Sequence, residues 1–164
     1  MAMRTRVRLA IAGIATIAVV AAAGLGVKGW WLGSRSDRAA ALRLVETASD
    51  AVPQGAIVIS RQTSEARWTH CDSGAGHPGW TPAMTVVRFS SSEPSKTVVA
   101  EVAASLERKG WHLDERLNGS GALWTTSTKS GPARAALGRV PPLTGSVWEF
   151  TATATPGGMH ATGC

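Results

Sequence analysis

The chain has 164 residues, and once its apolar amino-terminal run is set aside it has room for one domain. Its formal charge of +6 does not mark a nucleic-acid binder. Arg4, Arg6, Arg8 and Lys28 flank the apolar run, and the other 13 of the 17 Lys+Arg stand scattered against 11 Asp+Glu, whereas phosphate binding needs a clustered basic face. An apolar content of 44% excludes a chain too polar to bury a core.

Leu9 to Val27 carries no charge, and Thr16 is its only polar side chain. At ~1.5 Å per residue the run spans about 28 Å, close to the hydrocarbon thickness of a bilayer. The three preceding arginines keep the amino terminus cytoplasmic, and Trp30 and Trp31 fall where an interfacial aromatic belt belongs. The pattern predicts a cytoplasmic basic arm (1–8), a transmembrane helix or signal anchor (9–31), a juxtamembrane helix and linker (32–55) and an extracytoplasmic domain (56–164). The competing reading is a signal peptide cleaved near Ala23, which leaves a secreted protein.

Ser36 to Val52 repeats Leu42, Val45, Ala48 and Val52 at helical spacing. Ser36 can cap this helix and Pro53 stops it. It stands as a stalk or packs on the domain. Ala56 to Ser60 is a β-branched run expected to form a buried strand, and Arg67 to Cys71 is a second strand candidate. Asp72 to Pro82 is dense in Gly and Pro and reads as a loop, followed by a strand over Met84 to Phe89.

Pro94 to Lys109 is the clearest helix. Val98, Val99, Val102, Ala103 and Leu106 form its apolar face, and Gly110 supplies the stop. Trp111 to Leu117 alternates as a strand, Asn118-Gly119-Ser120-Gly121 turns, and Ala122 to Thr128 returns. Lys129 to Gly145 reads mainly as a loop, and Val147 to Ala154 is a last strand with Trp148, Phe150 and Ala152 on one face. The expected fold class is α+β: an amino-terminal transmembrane helix, then one main helix on an antiparallel sheet, ferredoxin-like or related.

Cys71 and Cys164 are the only cysteines, and an even pair in an exported domain predicts a disulfide. His70, Cys71, Asp72 and His77 crowd one region, but neighbours on a strand face opposite ways and a disulfide removes the thiolate. No metal site is therefore assigned. Asp114-Glu115 fails as an acid–base pair for the same reason, and no nucleophile elbow or phosphate-binding glycine pattern occurs. No cofactor is implied. Of the five domain tryptophans, Trp111, Trp124 and Trp148 sit on strands and are expected in the core. Trp80 lies in the Gly/Pro loop and is, with His77, the candidate contact residue.

The anchor, the W-x-x-C at Trp68 to Cys71, the helix ending Lys109-Gly110-Trp111 and the terminal Gly163-Cys164 make the chain resemble small single-anchor extracytoplasmic proteins of high-GC Gram-positive bacteria. That resemblance carries no activity with it. The expected function is a membrane-tethered interaction or accessory domain at the cell envelope. Its expected contacts are the lipid bilayer, through the amino-terminal helix, and a membrane-protein partner. Two alternatives stand beside it: an envelope hydrolase or metal-dependent enzyme using the His70–His77 region, and a domain that binds a glycan or lipid.

Overall fold

Period-two burial along the strands organises the molecule. Ala83, Thr85, Val87 and Phe89 are buried while the residues between them are not, and Trp148, Phe150, Ala152 and Ala154 repeat the pattern. Such alternation requires one sheet face against a core and the other turned away from it. The computed structural model describes residues 35–69, 79–117, 121–128, 131–141 and 146–156. Asp37–Cys164 form one compact unit.

Helix α1 covers residues 35–49. The strands are β1 (Ile57–Ser64), β2 (Trp68–Thr69), β3 (Gly79–Trp80) and β4 (Ala83–Ser90), then helix α2 (Ser95–Arg108), then β5 (His112–Leu117), β6 (Gly121–Thr128), β7 (Gly131–Arg139) and β8 (Val147–Ala154). Six strands make one antiparallel sheet in the order β1-β4-β8-β7-β6-β5, while β2 and β3 pair separately.

Both helices supply the other half of the core. Ala41, Val45 and Ala48 of α1 and Val98, Val102 and Leu106 of α2 are fully buried in the same cluster as the inward strand residues. The largest contributors are Trp111, Trp124, Trp148, Phe89 and Phe150. Inward rows run across several strands, such as Val87–Phe150–Leu137–Ala122. Ser49, Thr85 and Ser91 are the buried polar residues among those described; Thr85 is the one on an inward strand position, and its hydroxyl meets that of Thr63 at 3.1 Å.

Polar ties hold the helix layer at its ends. Gly110, at φ +81°, closes α2: its N–H bonds the Glu107 carbonyl at 3.0 Å, and the Trp111 N–H bonds Leu106 at 3.1 Å. This is the left-handed glycine termination, and it satisfies carbonyls the helix cannot. Lys109 Nζ donates to the Thr47 carbonyl of α1 at 2.7 Å, and Arg61 reaches Ser49 Oγ at 3.0 Å and Asp50 at 3.6 Å.

Several expectations are corrected. The fold is not one main helix on a ferredoxin-like sheet, because α1 packs as a second helix and the sheet has six strands. The segment read as a loop after Lys129 contains β7, whose inward side chains are Ala133, Ala135 and Leu137. Alanine and glycine give a weak apolar signal, and central sheet position, not side-chain size, buries them. The run from Ile57 to Ile59 is not buried. It lies on the edge strand, exposed by 70, 46 and 57%, with a register irregularity between Val58 and Ser60 that leaves Ile59 bulged.

The membrane anchor is corrected as well. Among the described residues no helix is long and apolar enough to cross a membrane, and the unit completes its core without one. Residues 9–27, Trp30 and Trp31 lie outside the described residues. The expected bilayer contact and cell-membrane localisation are therefore withdrawn. So is the Cys71–Cys164 disulfide. No disulfide occurs among the described residues, and both cysteines lie outside them.

Two glycines paired across β6 and β7 have opposite requirements. A Cβ on Gly121 would overlap the Leu137 carbonyl oxygen, whereas a Cβ on Gly138 meets nothing within 4 Å. Urea denaturation should therefore separate them. Gly121→Ala is expected to lose about 2–4 kcal/mol by forcing the β6–β7 ladder apart. Gly138→Ala should stay within ~1 kcal/mol of the parent, with a gain if its backbone suits alanine. Equal losses at both positions would contradict the register.

Candidate functional site

Because register is fixed by the buried face, the outward residues are fixed too. They form three rows across all six strands. One reads Ser64, Met84, Thr153, Arg134, Thr125, His112; the next reads Gln62, Val86, Thr151, Ala136, Leu123, Glu115; the third reads Ser60, Arg88, Glu149, Gly138, Gly121, Leu117. The middle of this face is small. Ala136, Gly138 and the threonines replace the bulky residues that fill the opposite face. None of the three rows joins the core cluster, so among the described residues this face is open.

A depression of about 360 Å³ lies on that face over β6, β7 and β8. Leu123, Ala136 and the hydroxyl-bearing Thr125, Thr151 and Thr153 line it, with Arg134 and Asp114. Arg134 stands directly between Thr125 and Thr153 in register. Asp114 approaches from β5, where a register irregularity between Leu113 and Glu115 bulges it out of the ladder. Neither charged side chain has a hydrogen bond or ion pair among the described residues. By contrast, Arg88 on the same face is neutralised by Glu149 at 2.7 Å.

A second depression, of about 380 Å³, lies in the helix layer between the end of α1 and the carboxyl-terminal half of α2. Its Asp50 carboxylate is already held by Arg61. Glu101 and Arg108 of that depression, like Arg134 and Asp114, have no ion pair among the described residues, so the open-face site is preferred for its register, which sets Arg134 between two threonines. Sequence reasoning missed it, since Arg134 fell in the segment read as a loop. The signal that could have found it is the alternation Ala133, Ala135, Leu137 with Arg134 and Ala136 between.

Of the residues singled out from sequence, His70, Cys71, Asp72 and His77 lie outside the described residues. Among the described residues no group of three or more His, Cys, Asp or Glu could hold a metal ion. Trp80 is only 5% exposed, and Trp68 beside it is 42% exposed. Their rings meet edge to face, with centroids 5.6 Å apart, and the Arg38 guanidinium of α1 lies 5.4 Å from the Trp80 ring centre. Thr81 fastens this corner, its N–H donating to the Arg67 carbonyl at 2.8 Å and its hydroxyl accepting the Arg67 N–H at 2.9 Å. Trp80 is thus a packing residue beneath Trp68. Asp114 and Glu115 are adjacent on β5, as the sequence reading had them, but only Asp114 lines the depression.

Comparison of the chain with protein-family models, with curated proteins and with solved structures returns no match. The resemblance to single-anchor extracytoplasmic proteins is corrected accordingly: no relative supports it, and the described unit is a small α+β domain with no membrane-crossing helix. The membrane-tethered accessory function falls with it. The hydrolase or metal-enzyme alternative rests on His70 and His77, which lie outside the described residues, and among the described residues no group of His, Cys, Asp or Glu could hold a metal ion. The glycan or lipid alternative gains no support, because among the described residues Trp68 is the one exposed tryptophan or phenylalanine and the depression is small.

The tryptophan corner makes a direct prediction. Trp80→Ala removes a buried ring and should cost about 3–5 kcal/mol in chemical denaturation. Trp68→Ala gives up a half-exposed ring and one edge-to-face contact, and should cost about 1 kcal/mol. Reversal of that order would put the buried ring on the wrong side of the pair.

Proposed function

We propose that this domain binds a small zwitterionic molecule of amino-acid size in the depression on the open sheet face. It is a binding domain and not an enzyme. The observation that carries the reading is Arg134, a cation set between two threonines, with the Asp114 carboxylate across the same depression, neither of them paired among the described residues.

The chemistry follows from the residue types. A guanidinium presents its N–H groups as a planar fork that matches a carboxylate, and the flanking hydroxyls add donors. Asp114 disfavours a plain anion by like-charge repulsion and accepts from an ammonium group. With β6 between their strands, the two charged residues start about 10 Å apart at the backbone, which leaves room for a ligand between their tips. Leu123 and Ala136 offer an apolar floor to a side chain. Ligand pockets commonly span about 300–1,000 Å³, so this depression suits a ligand at the small end.

Isothermal titration of the full-length chain with L-leucine and with glycyl-leucine tests this. At least one should bind saturably, in the range from about 10 μM to a few mM. Arg134→Gln should weaken it tenfold or more, a loss of about 1.4 kcal/mol per decade, without changing the denaturation midpoint. N-Acetyl-leucine, which lacks the ammonium, should bind more weakly than leucine. Absence of saturable heat for either probe, or equal affinity in the Arg134→Gln variant, would overturn the reading.

A further inference from the structure

The two edges of the six-stranded sheet are treated differently. At the β5 edge stand Asp114, Glu115 and Arg116, all exposed, together with a bulge. Charges of this kind stop an edge from pairing with another chain, and they mark the difference between the edges, since β1 is bulged at Ile59 as well. At the other edge, β1 has the sequence IVISRQTS, with no proline and no lysine. Its one charge, Arg61, is drawn toward α1 by Asp50 and Ser49 and does not guard the edge.

From this asymmetry we infer that β1 is a strand-addition site. It takes an extended polypeptide segment that continues the sheet in antiparallel sense. This goes beyond the small-ligand reading and uses a different surface.

The ladder to β4 is regular from Ser60 to Ser64, and among the described residues no strand pairs with the opposite side of that stretch, which presents the donors and acceptors of an edge. Ahead of it, Ile57, Val58 and the bulged Ile59 are exposed apolar side chains, with Ile57 opposite Ser90 on the outward side and Val58 opposite Phe89 on the core side. A segment running antiparallel to β1 brings its carboxyl-terminal end against these residues. The recognised segment therefore has extended residues that pair with 60–64 and a large aliphatic residue at its carboxyl-terminal end. Backbone bonds supply the affinity in this mode, and the terminal apolar contact sets the register.

Interface area excludes a second copy of the rigid domain as occupant. Eight residues of edge are about 26 Å long, and pairing two such edges buries on the order of 500 Å², well short of the ~1,000 Å² that a stable interface between folded bodies needs. An extended segment is not so limited, because it adapts its side chains to both faces of the edge.

The test uses the full-length chain and a fluorescein-labelled, carboxyl-amidated hexapeptide, Thr-Val-Thr-Val-Thr-Ile, read by anisotropy. Saturable binding is expected, with slowed amide exchange confined to 57–64. N-Methylation of the peptide at alternate residues should weaken binding at least tenfold in one of its two phases, because it removes donors and keeps side chains. Ile59→Lys should weaken it several-fold. Absence of binding, or no loss with either N-methylated peptide, would overturn the inference. So would a concentration-dependent dimer abolished by Ile59→Lys, since the occupant would then be a second copy.

Discussion

Burial of one sheet face beneath two helices is the constraint on which the rest of the structure depends. Trp124, Trp148, Phe89 and Phe150 take up the space between the layers, with Val45, Val98, Val102 and Leu106 opposite. Strand side chains alternate with a period of two. A slip of one residue would therefore turn Phe89, Trp124, Trp148 and Phe150 outward and Thr125, Thr151 and Thr153 inward. The energetic demand on the inner face thereby dictates the outer face, where Arg134, Thr125, Thr151 and Thr153 could not otherwise be held in line. The candidate site is positioned by side chains that never touch it.

The outward face is unlike the inward one in size as well as polarity. Gly121 is required by close approach of the Leu137 carbonyl, and Gly138 beside it is not required by anything near its Cα. Ala136 and Gly138 keep the centre low, and the flanking threonines raise its walls. The edges show the same division of labour. Both are bulged, but one carries three adjacent charged residues and the other has a single cation, drawn toward the helix layer. Small-molecule and strand recognition thus occupy separate parts of one sheet, the first over β6 to β8 and the second along β1.

The elements with strong local signals were legible in the sequence. The helix after Pro94 stops at Gly110 because a positive φ and two carbonyl bonds demand a glycine there. Trp124 and Trp148 are in the core because they sit on inward strand positions, and Trp111, expected on a strand, is buried with them from the connection between α2 and β5. What was not legible depends on neighbours far away in the chain. β7 carries Gly131, Pro132 and Gly138 and buries only alanines and one leucine, so its local pattern resembles a loop until β6 and β8 pair on both sides of it. The run from Ile57 to Ile59 looks like a core strand by composition, and only its place at the sheet edge exposes it. Trp80 looks like a loop residue, and the β2–β3 pairing folds it under Trp68. Arg134 shared the fate of β7: with the strand unseen, nothing placed the arginine beside two threonines.

The most direct measurement is a titration of the uniformly ¹⁵N-labelled full-length chain with L-leucine, followed by amide chemical shifts. The account predicts saturable shifts at Thr125, Arg134, Thr151, Thr153 and Asp114, with the helix-layer depression around Asp50 and Arg108 unmoved. Shifts centred on that helix layer, or none outside error at saturating leucine, would contradict an open-face binding site.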